Sequence, residues 1–349
     1  MINMNKKEER NFRVLTHIIK IFVSDAVPVS SKSVTRNMGN SISSATVRNI
    51  MGELEEAGDI EQPHTSAGRV PTDRGYRKYV DFAKNRLEVE KKKAERLAWE
   101  YTGRIKSIKD VIEKTSFLIS RELHHAGVVM WPSIGNFYLK HLELVKIRAE
   151  AVLAVLVTMT NAVKNYIISI DKDLEKVDLE KIANFINTNY AETTISSIPA
   201  ELKDIVGGES ENKELVSMAR SARAIINDIV EQDIENEIYW EGLDYFAEEP
   251  EFMDLALTRR MLRIFSNRRE ISSLMRRELP YRGVRVYIGR ENEFDALREC
   301  SVITAGYGLH GNTVGRIGVI GPTRMEYDNV LKTVRYLSDL ISFKLEEFN

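Results

Sequence analysis

Cysteine is almost missing from this chain: Cys300 is the only one in 349 residues. That excludes an internal disulfide and fits a reducing compartment, so a cytoplasmic location is expected. Cys300 stands between Glu299 and the strand-like Val302-Ile303 run, the setting of a buried structural thiol rather than a nucleophile. Histidine is scarce too. His124 and His125 are adjacent and cannot share one helix face, and no second His or Cys pair stands at ligand spacing, so no metal site is expected. No apolar run approaches the roughly 20 residues of a membrane span, and Met1 to Arg10 lacks the apolar core of a signal peptide. No membrane partner is expected. Glycines are spread through Gly306–Gly321, but the stretch lacks a strand–loop–helix setting and a Lys-Ser/Thr ending, which excludes a nucleotide loop. A hairpin turn at His310-Gly311-Asn312 explains them. Acidic pairs abound, yet none sits beside a recognisable nucleophile or base, so neither an enzyme nor a cofactor is expected.

What is present is an ordinary balance of 43% apolar and 29% charged residues, enough for two or three domains. The net charge of −2 hides an asymmetry. Residues 1–86 hold 14 Lys/Arg against 10 Asp/Glu, a surplus of four, and the remainder carries −6. A basic head on an acidic body suits a phosphate-binding partner.

The head reads as three short helices. Leu15, Ile18, Ile19 and Phe22 form one stripe over Glu8–Ser24. Ser30 and Ser31 cap a second helix that runs to about Met38. Ser43 or Ser44 caps a third, which Gly58 ends. In that third helix Val47, Ile50, Met51 and Leu54 fall on the inward face, leaving Ala45, Arg48, Asn49 and Gly52 outside. Two strands, Asp59–Gln62 and Arg69–Pro71, flank a turn-rich tip at Pro63–Gly68, and another helix begins at Thr72. Helix, turn, helix and β-wing together predict a winged helix-turn-helix over residues 1–86. Arg and Asn on neighbouring outward positions suit guanine and adenine edges in a major groove. A solvated amphipathic helix is the plain alternative for the third helix alone.

Residues 87–122 read as a charged helical connector. Three antiparallel strands follow, Phe137–Ile147, Ala151–Thr158 and Asn165–Ile170, then a helix at Leu174–Asn189. Strands also occupy Gly283–Ile288, Cys300–Gly306 and Val314–Ile320, with a last helix over Arg324–Phe348. Two β-rich blocks on either side of a helical segment suggest one α+β domain, 123–205 and 280–349, interrupted by an insert at 206–279. In that insert, apolar residues alternate with Arg259, Arg260, Arg263, Arg268 and Arg269, a pattern that suits helix packing within or between chains.

Two long segments then resemble a known family. Glu61–Arg77, which contains Thr65-Ser66-Ala67-Gly68-Arg69-Val70-Pro71-Thr72-Asp73-Arg74-Gly75-Tyr76-Arg77, closely resembles the wing segment of the bacterial heat-inducible transcription repressor family, HrcA, and Ser43–Asn49 resembles its recognition helix. Gly311–Tyr327 matches far downstream, and Pro250-Glu251-Phe252, with Gly242-Leu243 upstream, matches more weakly between them. Ile50 departs from the acidic residue expected in many relatives, on a position that faces inward. The resemblance implies a winged-helix head, a GAF-like body and an inserted dimerising domain. It also implies a homodimer on an inverted-repeat operator of double-stranded DNA, called CIRCE, upstream of the groE and dnaK operons, with the GroE chaperonin promoting the active form.

The site residues follow from both readings. Arg48 and Asn49 are the candidates for base contacts, with Ser43, Ser44 and Thr46 on phosphate or base edges. His64, Thr65, Ser66, Gly68 and Arg69 form the wing tip, where small residues let backbone approach a phosphate. Arg74, Arg77 and Lys78 are within reach of further phosphates, or are plain surface charge. Two rival functions share the fold: a regulator whose GAF-like body senses a small molecule, and an adaptor that uses the winged helix for protein contact.

Overall fold

The apolar stripes of the head do form helices. In a computed structural model, which describes residues 5–65, 67–84, 87–102, 105, 107–170, 174–208, 212–233, 238–248, 250, 255–266, 268–309 and 311–347, the chain opens with α1 (Lys6–Asp25), α2 (Ser31–Asn37) and α3 (Ser44–Glu56). Asn5, Ser30 and Ser43 cap them, each side chain accepting backbone N–H groups that the first turn leaves free. Val14, Leu15, Ile18 and Ile19 of α1 meet Val34 of α2 and the α3 stripe in one core. Ile50 is 1% exposed, so the residue that departs from the family pattern is a packing residue. Gly58, at φ +73°, turns the chain out of α3 in the left-handed conformation that glycine tolerates best. A short hairpin follows, β1 (Ile60–Glu61) and β2 (Val70–Pro71), and then α4 (Asp73–Ala83), capped by Thr72.

Beyond the head come α5 (Lys91–Glu100), α6 (Ile108–Leu123), β3 (Ala126–Met130), β4 (Leu139–Arg148), β5 (Ala151–Thr158) and β6 (Val163–Ser169). Then follow α7 (Lys176–Tyr190), α8 (Ile198–Gly207), α9 (Lys213–Asp233), β7 (Ile238–Glu241) and α10 (Tyr245–Glu248). The chain continues through α11 (Leu255–Ser266), α12 (Arg268–Arg277), β8 (Val284–Ile288), β9 (Cys300–Leu309), β10 (Asn312–Pro322) and α13 (Tyr327–Glu346). The architecture is mixed α+β.

Strand pairing departs from the division expected at residues 206–279. The body sheet runs β7-β3-β10-β9-β8, all antiparallel, so β7 from the expected insert lies beside β3. Among the described residues the strands β4, β5 and β6 pair only with one another. Alternation identifies a strand but not its partner, and β3, buried at all five positions, shows no alternation to read.

Each face of the body sheet has its own cover. Val129, Ile303, Ile317 and Val319 face the core shared with α6 and α13, while Val128, Val302 and Ile320 face Met261, Ile264, Phe265 and Leu274 of α11 and α12. Helix α6 is therefore a core helix and not a solvated connector. Its charged residues sit outside a buried stripe of Ile108, Val111, Ile112, Leu118 and Ile119. Arg316 on β10 is fully buried and makes no ion pair among the described residues, although the nearby Glu278 carboxylate favours its charged form. Its guanidinium donates to the carbonyls of Glu278 (2.5 Å) and Tyr281 (2.6 Å) and to Thr304 Oγ1 (2.9 Å), fastening the end of α12 to the sheet. Burial lowers its pKa to about 10.

Among the described residues the β4–β6 sheet is covered on one face only. Leu142, Leu144, Val152, Leu156 and Ile168 pack inward on a core that contains Leu179, Ile182 and Ile186 of α7 and Ile225, Ile226 and Ile229 of α9. On the other face Val145, Leu153 and Ile167 form a row, with Val157 and Val163 as a second pair. Val163 and Ile167 are about 60% exposed there.

Candidate nucleic-acid interface

The outward side of α3 follows from its inward one. Val47, Ile50, Met51 and Leu54 are buried, which leaves Ala45, Arg48 and Asn49 exposed. Among the described residues, neither Arg48 nor Asn49 takes a side-chain hydrogen bond or ion pair. Two adjacent groups with unused hydrogen-bonding capacity therefore face solvent near the helix N-terminus, where the dipole also favours an anion. The hydroxyls before them are in use. Ser43 Oγ meets Thr46 Oγ1 at 2.9 Å and accepts from the Thr46 N–H, and Ser44 Oγ lies 3.1 Å from Ser31 Oγ on α2. The last of these contacts ties the start of α3 to α2.

The hairpin beside α3 is closed by Gln62, whose amide donates to the carbonyls of Thr65 and Ala67, both at 3.0 Å. His64 and Thr65 are exposed at its tip, and Ser66 lies outside the described residues. Gly68 has a different role from the one expected. Its backbone runs against Val29, and a Cβ there would stand 2.4 Å from the Val29 carbonyl oxygen. Arg69 next to it exchanges both backbone hydrogen bonds with Val29, at 2.8 and 2.9 Å, so residue 29 acts as a third strand of the hairpin.

The arginines after the tip are occupied. The Arg69 guanidinium reaches Glu55 Oε2 on α3 at 2.8 Å and 2.9 Å, which ties hairpin to helix. Arg74 and Lys78 share the buried carboxylate of Asp59, at 3.5 and 2.5 Å. Arg77 turns away from the hairpin altogether. It grips Glu291 of the body with Nε at 2.9 Å and Nη2, and donates to the Val286 carbonyl at 2.7 Å. Asp73, one turn earlier, accepts the Arg290 N–H at 3.0 Å, against Gly289 at φ +52°. Sequence reasoning missed Glu55, Asp59 and Glu291 as the partners of these arginines, because no spacing in the chain announces a contact made 14 to 214 residues away.

A family model described as the HrcA protein C terminal domain matches residues 109–331. A heat-inducible transcription repressor HrcA of Pelotomaculum thermopropionicum is 33% identical over 98% of this chain and 97% of its own. The repressor of the same name from Geobacter sulfurreducens is 34% identical over 98% and 99%. The chain belongs to the HrcA family. Both relatives are named for repression of transcription, a non-enzymatic role. A crystal structure described as that of a hypothetical protein, at 2.2 Å resolution, superposes with a TM-score of 0.64 over 99% of this chain and 100% of that one, at 22% identity. It supports the fold alone.

Other chemistry finds little footing in this HrcA chain. Cys300 is buried, its thiol pushed well above the usual range by burial, and it lies 3.4 Å from Met261 Sδ. Among the described residues no three His, Cys, Asp or Glu side chains converge as a metal site requires, and no helix is long and apolar enough to cross a membrane.

Proposed function

We propose that this protein is a dimeric repressor of heat-shock chaperone operons. In this reading the head is a winged helix-turn-helix that reads an inverted-repeat CIRCE operator, and the body is GAF-like. One observation carries the reading: Arg48 and Asn49 lie side by side, exposed and without a side-chain partner among the described residues, on a helix whose other face is fully packed. A well-placed bidentate contact is worth about 1–3 kcal/mol of base discrimination. His64 and Thr65 at the hairpin tip are then placed to meet the backbone, held at a fixed distance from α3 by the Arg69–Glu55 pair.

The homodimer belongs to the β4–β6 sheet in this proposal, and not to residues 206–279. A one-sided sheet that leaves Val145, Val163 and Ile167 in water exposes the kind of contiguous apolar surface that marks an association face. A second copy covers it by two-fold symmetry, and that symmetry matches an inverted repeat. Repression is then steric, with two heads on two half-sites. The switch is the packing of head against body through Asp73, Arg77 and the Tyr76–Tyr327 ring contact, which heat releases and the GroE chaperonin restores.

A gel-shift titration with an inverted-repeat duplex from a chaperone promoter, against random DNA and with and without chaperonin, tests the whole proposal. Preferential retardation of the inverted repeat is expected, with a larger DNA-competent fraction when chaperonin is added. Equal retardation of both duplexes removes the operator reading, and a chaperonin titration without effect removes the switch.

A further inference from the structure

Helix α11 buries Met261, Ile264 and Phe265 against the body sheet. Its far side shows Arg259, Arg260 and Arg263, all exposed. Among the described residues none of the three has a hydrogen-bond or ion-pair partner. Leu255–Ser266 contains no Asp or Glu, although residues 87–349 carry a net −6. Arg259 and Arg263, four residues apart, are neighbours on one face, and Arg260 borders them. Free guanidinium groups gathered on an acidic body repel one another, and an anionic partner relieves that repulsion.

The position of α11 narrows the partner. The turn Asp295–Leu297 packs against α11 and also against the turn Gly289–Glu291. That second turn is the one that receives Asp73 and Arg77 of the head. Arg290 gives its backbone N–H to Asp73, while its exposed side chain has no partner among the described residues. Unpaired arginines thus occur at the head–body joint and again on the helix next to it. Among the described residues Leu262 is the single large apolar side chain of α11 that is exposed beside them, too little for a membrane surface or for the apolar centre of a protein interface. Guanidinium groups without an apolar centre suit phosphate oxygens.

We propose that Arg259, Arg260 and Arg263 form a second, sequence-independent DNA surface that holds backbone phosphates flanking the operator. It rests on the proposed DNA-binding function and adds length to the DNA footprint without adding base reading. Each phosphate held steepens the dependence of log affinity on log salt by about 0.9.

The test compares the full-length protein with the Arg259→Gln, Arg260→Gln, Arg263→Gln triple variant. It uses two duplexes that share one inverted repeat, a short one ending at the half-sites and a long one with about ten further base pairs on each side. The wild type is expected to show a steeper salt slope on the long duplex than on the short one. The triple variant should lose about 2–3 from its long-duplex slope, which corresponds to about 40-fold less loss of affinity between 50 and 200 mM salt, and keep its short-duplex binding. An unchanged long-duplex slope overturns the proposal, and so does an equal loss on both duplexes, which would mean that the arginines act on the head. A melting temperature equal to wild type confirms that the outward substitutions leave the fold intact. If wild type does not prefer the short inverted repeat to random DNA, the operator reading fails. The long-duplex comparison then still decides the flanking surface.

Discussion

Helices α3 and α4 are built on the same plan and end in opposite situations. Each starts at a hydroxyl cap, Ser43 or Thr72, buries one apolar face and turns arginine outward. Arg48 on α3 has no side-chain partner among the described residues, whereas Arg77 on α4 is held by Glu291, Asp81 and the Val286 carbonyl. The side chains are the same, and the difference lies in what the rest of the chain brings to them. An outward arginine becomes a reader of DNA only if no part of its own protein reaches it first.

The largest effect is expected from Gly75→Val, at the seat of α4. A Cβ at position 75 would stand 2.1 Å from the Asp59 carbonyl oxygen, and backbone cannot yield as a flexible side chain can. The substitution should push α4 off the hairpin and cost about 3 kcal/mol, at the top of the overpacking range, with a fall in melting temperature as the readout. Wild-type melting would show that α4 can relocate freely. Arg48→Ala comes next: operator preference over random DNA should drop by about 1–3 kcal/mol at fixed salt, with stability unchanged. Equal loss on both DNAs would make Arg48 a phosphate contact only.

Arg77→Ala should do the reverse. The ion pair is partly solvated, so the loss of head–body stability is about 1–2 kcal/mol, seen in denaturant melts, while the operator-to-random ratio holds. A fall in that ratio matching the one for Arg48→Ala would erase the distinction between the two helices. The smallest effect is expected from Ser43→Ala and Thr72→Ala, each losing one cap and about 1 kcal/mol. Of the two, only the α3 cap should also weaken DNA binding, and a binding loss for Thr72→Ala would assign α4 a larger share.

A second pair of regions sharpens the point. The body sheet is covered on both faces, and the β4–β6 sheet on one. Part of that was legible: every residue from Ala151 to Val157 is apolar, which says that β5 needs cover on both sides, while α7 and α9 supply only one. Ile167→Asp should therefore convert the proposed dimer to monomer in sedimentation without unfolding the chain, because the side chain is already in water. A dimer that survives would place the interface elsewhere.

Local chemistry was readable in the sequence because it is short-ranged. Caps at Ser30 and Ser43, the left-handed Gly58 and the inward stripe of α3 depend on neighbours within one helical turn. The same holds for the β9–β10 hairpin, where Asn312 pairs with Leu309, while His310 of the expected turn lies outside the described residues. Long-range pairing was not readable. That β7 joins β3, that Glu55 takes Arg69 and that Glu291 takes Arg77 are facts about which distant segments share space. Residue pattern alone sets which faces turn inward and that Arg48 and Asn49 turn out. Which outward charges stay free depends on long-range folding, since a charge is spent or spared by what packs against it.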